Sequence, residues 1–149
     1  MTRLKETATT SLAPAEAFAH VGDFANVDQW DPGVTHAEKT TPGDVSVGTV
    51  YDLVLDYRGR AMNMQYEVTA YEPTSRVVLV GTGGPVKAID TISFEPDGDG
   101  TLVTYEADLQ LRGIARIIQP LMKSRFEAIG NAGGEGLRKW LRELENQPA

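Results

Sequence analysis

The sequence predicts an α+β fold: a curved antiparallel sheet of six to seven strands around one long C-terminal helix, with two short helices after the first strand. Three observations lead there. Residues 34–111 alternate apolar and polar side chains through successive hairpin signals, and residues 118–144 carry an apolar stripe at helical spacing. One proline-led helical stretch interrupts the strands, near the N-terminus. Period two marks half-buried strands and period 3.6 an amphipathic helix.

Residues 4–11 alternate weakly, are rich in threonine and read as the first strand. Pro14 suits the first position of a helix, and Glu16 the favourable first turn. Ala15, Phe18, Ala19 and Val21 give this helix an apolar side, and Gly22-Asp23 breaks it. "FANVDQW" reads as a second short helix, with Phe24, Val27 and Trp30 at i, i+3 and i+6, ended by Asp31-Pro32-Gly33. Strands follow. "GTVYDLVLDYR" sets Tyr51, Leu53, Leu55 and Tyr57 on one face, and Arg58-Gly59 turns into "RAMNMQYEVTAY". There Met62, Met64, Tyr66, Val68 and Ala70 share a face. "EPTS", "GGP" and "EPDGDG" mark the later turns, and the last strand points Val103, Tyr105, Ala107, Leu109 and Leu111 inward. A sheet with one polar face needs a cover on the other.

The C-terminal helix is that cover. Counting 100° per residue, Ile118, Met122, Phe126, Ile129, Gly133, Gly136, Leu137, Trp140 and Leu144 fall within an arc of about 100°. From Pro120 to Leu144 the helix would run roughly 37 Å, comparable with a ten-residue strand of roughly 33 Å. Residues 130–136, "GNAGGEG", hold four glycines, each costing ~1 kcal/mol relative to alanine within a helix. Gly133 and Gly136 in the apolar stripe leave room for a ligand, or let the helix pack closely on a strand, or mark a break near Asn131.

Composition narrows the function. The 149 residues fit one domain spanning 1–149, and with a charge of −7 nothing draws the surface towards nucleic acid or anionic lipid. There is no cysteine, hence no thiol nucleophile, disulfide or cysteine-ligated metal. No signal core or membrane span is present, so a cytoplasmic location is expected. The two histidines, His20 and His36, lack zinc-type spacing, and Ser11, Ser46, Ser75, Ser93 and Ser124 lack a nucleophile-elbow context. No metal, nucleotide or other cofactor is implied.

The stretches "PAEAFAHVGDFANVDQWDPGV", "GTVYDLVL" and "DTISFEPDGDGTLVTYEADLQLRG", followed by the glycine-rich amphipathic helix, cover nearly the whole chain. In this order they resemble the START/Bet v 1-like helix-grip fold and, more narrowly, the polyketide cyclase/dehydrase and lipid-transport (SRPBCC) family. The resemblance implies a cavity between sheet and C-terminal helix. Trp30 would then cover an edge of that apolar interior near one mouth, or close one end of the sheet as an ordinary core residue. Trp140 fits plain core better than ligand contact. The candidate lining is Tyr51, Leu53 and Leu55 from one strand, Met64, Tyr66 and Val68 from the next, and Tyr105. The helix side would supply Phe126, Ile129 and Gly133.

Asp90 shares parity with Ile92 and Phe94, which should point inward. A buried carboxyl has its pKa raised and can serve as acid or base. The alternatives are a bulge that flips the parity, or pairing with Lys87 or an arginine. Asp90, Tyr66 and Tyr105 are thus the candidate catalytic groups. Three functions remain open: binding of a small hydrophobic or amphipathic ligand such as a lipid, polyketide or aromatic; a cyclase or dehydratase using those groups; and a regulatory or protein-interaction module with a vestigial cavity. Protein partners are unspecified by the sequence.

Overall fold

In a computed structural model, residues 2–57 and 59–147 are described. Seven strands form one antiparallel sheet in the order β1-β7-β6-β5-β4-β3-β2. They are β1 (Thr2–Thr10), β2 (Val34–Lys39), β3 (Val50–Tyr57), β4 (Arg60–Glu72), β5 (Arg76–Gly83), β6 (Val86–Asp97) and β7 (Gly100–Leu111). Every consecutive pair from β2 to β7 is a hairpin, and β1 returns to pair with β7. Gly59, at φ +80°, takes the backbone conformation its turn requires; Arg58, assigned to the same turn, lies outside the described residues.

Helix α1 (Pro14–Val21) begins where Ala13 is still extended, with proline in the first turn. Its buried face is Ala17, Phe18 and Val21, whereas Ala15 and Ala19 are exposed. The Phe18 ring packs 5.4 Å from Tyr71 and 5.2 Å from Phe94. The second short helix is a 3-10 helix, Phe24–Gln29. Three residues per turn put Phe24, Val27 and the following Trp30 on one side, and all three are buried. Asp23 caps it, accepting a hydrogen bond from the Ala25 amide at 3.1 Å.

One strand departs from simple alternation. The β4–β5 register shifts between Val68 and Ala70, so Tyr71 pairs with the fully buried Val77. The extra residue of a bulge resets parity, and Tyr71, not Ala70, shares the inner face beyond it. No such shift occurs along β6, and Asp90 keeps the parity of Ile92 and Phe94.

A second 3-10 helix, Gly113–Ile118, leads into α2 (Gln119–Glu145), which is unbroken at Asn131. The buried Gln119 fastens its start, donating to the Leu109 carbonyl at 2.9 Å and accepting from the Leu111 amide at 3.2 Å. At the far end Glu145 accepts from the Thr10 hydroxyl at 2.8 Å and from the Ser11 amide. Phe126, Gly133, Gly134, Leu137 and Leu141 are its buried residues beyond Gln119. That face is turned roughly 60° from the predicted stripe. Leu141 lies inside it, while Ile129 is 41% exposed. The glycines explain the rotation. At Gly134 an added Cβ would stand 2.7 Å from the Glu6 side chain, and at Gly130 it would stand 3.1 Å from Leu4, both on β1. The helix touches its neighbours through these small residues, so its closest approach lies on their side.

Candidate functional site

A cavity of about 340 Å³ lies between α2 and the sheet, within the range of about 300–1,000 Å³ usual for small-molecule sites. The sheet contributes Leu55 of β3, Met64 and Tyr66 of β4, Asp90 of β6 and Tyr105 of β7. From α2 come Met122, Phe126, Ile129, Gly133 and Leu137, and Trp30 and Asp31 approach from the loop after the first 3-10 helix.

Two glycines keep the space open by different means. A Cβ on Gly133 would make only ordinary contact with the Asp31 carboxyl, at 3.7 Å, so its absence leaves volume. Gly81 faces Tyr66 directly across β4–β5, and a Cβ there would collide with the Tyr66 ring. The missing side chain lets that ring lie over the neighbouring strand. Gly136 has the other role: it seats the helix against Trp30 and lines no part of this cavity.

Within the apolar lining sits one polar cluster. Asp90 is 2% exposed and accepts a hydrogen bond from the Tyr105 hydroxyl through one carboxyl oxygen. Its other oxygen is buried with no partner among the described residues. Burial pushes the Asp90 carboxyl up to about 7; the Tyr105 hydrogen bond opposes this, and the charges of Asp31 and Asp108 add to it. Burial likewise raises Tyr66 and Tyr105 well above the usual phenol range, helped by Asp90. Asp31 is also raised by burial, against a hydrogen bond from the Gly33 amide at 2.9 Å. The Trp30 indole and the Tyr105 ring pack edge to face with centroids 5.4 Å apart. A carboxyl that titrates near neutrality beside a phenol O–H can take up or release a proton, or fix one polar group of a ligand.

Of the predicted lining residues, Trp30, Leu55, Met64, Tyr66, Tyr105, Phe126, Ile129 and Gly133 border the cavity. Tyr51, Leu53 and Val68 do not. They point inward as expected but are packed in the core, and the Tyr51 hydroxyl donates to Asp23 at 3.1 Å with Phe24 against its ring. The first 3-10 helix covers that part of the sheet, so inward parity there leads into solid core. Asp90 has no ion pair with Lys87 or an arginine among the described residues. Asp31 and Glu6 line the cavity without having been singled out from the sequence. Asp31 follows Trp30 in a loop where no periodicity assigns a side, and Glu6 sits on a weakly alternating strand. Trp140 packs in a T-shaped contact with His20 at 6.1 Å, outside the cavity lining, and His36 is exposed on β2. Among the described residues no group of three or more His, Cys, Asp or Glu side chains could hold a metal ion.

A seven-stranded antiparallel sheet curled against a long C-terminal helix, with a hollow between them, defines the helix-grip class. The family model for polyketide cyclase/dehydrase and lipid transport matches residues 1–142, and the chain belongs to that family. Solved structures agree on the fold. A protein from Thermus thermophilus is 14% identical with a TM-score of 0.78, covering 97% of this chain and 99% of that one. A START superfamily protein from Mycobacterium smegmatis is 17% identical with a TM-score of 0.78, over 97% and 99%. The ZhuI aromatase/cyclase from Streptomyces sp. R1128 is 13% identical with a TM-score of 0.75, over 96% and 92%. No curated protein matches the chain by sequence. Family and fold are consistent with ligand binding or with polyketide cyclase activity. One fold hosts many chemistries, so the choice between them rests on the site.

Proposed function

We propose that the protein binds a small hydrophobic molecule carrying one uncharged or cationic polar end. The observation that carries this reading is the apolar hollow with a single buried polar cluster, Asp90–Tyr105 with Tyr66, in its wall. The charged side chains that line it are Glu6, Asp31, Asp56 and Asp90 against Lys5 alone, and Lys5 is exposed. A ligand carboxylate would enter beside two buried carboxyls with no buried cation to pair with, which electrostatics disfavours. A long-chain alcohol or amine, or a phenol, avoids that cost. The open hollow supports this reading over an interaction module with a filled interior.

The test is thermal unfolding with a matched series of alkyl alcohol, alkyl amine and fatty acid of equal length, together with native mass spectrometry of the purified protein for retained ligand. Stabilisation by alcohol or amine and little by the acid is the expected outcome. Best stabilisation by the fatty acid would overturn the polarity assignment, and no stabilisation by any hydrophobic compound would overturn ligand binding.

One observation favours a second reading, a cyclase or dehydratase: Asp90 titrates near neutrality and shares a proton-bearing contact with Tyr105. In an aldol-type ring closure Asp90 would move the proton while a tyrosine O–H holds the enolate oxygen. Unchanged turnover of a bound substrate in Asp90→Asn would remove this reading.

A further inference from the structure

The segment joining β7 to the body of α2, "RGIARIIQPLMKSRF" (residues 112–126), is apolar on two sides. Its inner side chains, Ala115, Ile118, Met122 and Phe126, wall the cavity. On its outer side Ile114 is 88% exposed, Ile117 78% and Leu121 78%, with Ile118 itself 46% exposed. A row of aliphatic side chains on a helical face is normally buried against a neighbour, and this outer row has no cover among the described residues. These residues account for four of the six large hydrophobic side chains that the described chain leaves exposed.

The charges of the same segment run against those of the molecule. Arg112, Arg116, Lys123 and Arg125 are all exposed, and residues 112–126 contain no aspartate or glutamate, although the chain carries −7 overall. Arg112 reaches the Gly84 carbonyl at 3.2 Å, Arg125 reaches the Tyr57 hydroxyl at 3.4 Å, and Lys123 lies 4.0 Å from Glu127. All are surface contacts that leave the basic character of the face intact. Exposed aliphatic side chains flanked by long basic ones are the pattern of a segment lying in a lipid headgroup layer: the aliphatics enter the acyl boundary and the cations reach the phosphates. A second copy fits less well, because two-fold pairing of this face sets its cations against the same cations of the copy. The core of a protein interface favours aromatic side chains, and this outer face presents none.

We infer that the outer face of residues 112–123 is a docking surface for an anionic lipid membrane, on which the protein lies without spanning it. No helix among the described residues is long and apolar enough to cross a bilayer. The docked segment is also a wall of the cavity, so contact with lipid would act directly on Ile118 and Met122, which line the hollow.

Co-flotation of the full chain with vesicles tests this, using phosphatidylcholine alone and an equimolar mixture with phosphatidylglycerol. Binding to the mixed vesicles, weakened by high salt and small on phosphatidylcholine alone, is expected. Replacing Ile114, Ile117 and Leu121 together by serine should weaken it about a thousandfold, since removing each of these exposed aliphatics forfeits roughly tenfold. Arg116→Gln with Lys123→Gln should flatten the salt dependence. Circular dichroism of the variants controls for folding, which substitutions on an outward face should leave unchanged. Wild-type protein that stays off the mixed vesicles at low salt overturns the inference, as does a triple serine variant that floats like wild type. Concentration-dependent self-association abolished by the serine changes, or capture by an acidic protein, in the absence of vesicle binding would also overturn it. No cavity ligand is needed, so failure here leaves the ligand-binding reading standing.

Discussion

Asp90 shows how far a single position can be read. Its parity with Ile92 and Phe94 placed it inward, and the structure puts it 2% exposed against Tyr105. Its neighbour in the cavity, Asp31, could not be placed that way, because a loop side chain has no period to follow. The buried carboxyl has a consequence for stability. Its folded pKa, about 7, lies above the ordinary aspartate value of 3.8, so between those values the folded state holds more protons than the unfolded one. Stability therefore falls as pH rises from about 4 to 7 and levels off above, by on the order of a few kcal/mol. Asp90→Asn removes this component: urea unfolding should find the variant more stable than wild type at pH 8, by clearly less at pH 5 and by little at pH 3. Parallel pH profiles for the two proteins would show that Asp90 titrates as an ordinary carboxylate.

At the scale of the element, α2 separates two uses of glycine that its sequence leaves mixed. The helical period identified the covering helix, but glycine has no side chain to say whether it marks a contact or a void. The facing atoms decide. Gly136→Ala drives a Cβ into the backbone carbonyl of Trp30, 3.0 Å from its carbon and closer still to its oxygen. That carbonyl cannot yield without moving the helix or the Trp30 loop, and overpacking of this kind costs about 1–3 kcal/mol or more. Gly133→Ala meets the Asp31 carboxyl only at 3.7 Å and gains helix propensity of up to ~1 kcal/mol. Thermal unfolding should therefore separate the two, Gly136→Ala melting well below wild type and Gly133→Ala at or above it. Gly133→Leu should keep the fold and lose ligand binding, as its side chain fills the hollow. Two other glycines, Gly130 and Gly134, packed on Leu4 and Glu6 of β1, turned the buried face of the helix, which is why Leu141 proved to be core and Ile129 a partly exposed rim residue.

For the whole molecule, hairpin order and helical stripe were enough to fix the architecture, because each is a repeating pattern that tertiary packing reinforces. The net charge was a poorer guide: a total of −7 averages over a basic, apolar segment whose character only appears once exposure is known. The cavity was likewise inferred from too many inward positions, since Tyr51, Leu53 and Val68 face a part of the sheet that the short N-terminal helices fill. The placement of the two tryptophans has an optical consequence. Trp30 borders the hollow with Tyr105 against its ring, whereas Trp140 lies beyond it near His20. Emission from the first indole should shift in colour or intensity when a guest arrives, while the second supplies a nearly constant background. Titration of Trp140→Phe should retain the whole spectral change and Trp30→Phe almost none, so the chain carries its own fluorescent gauge of occupancy.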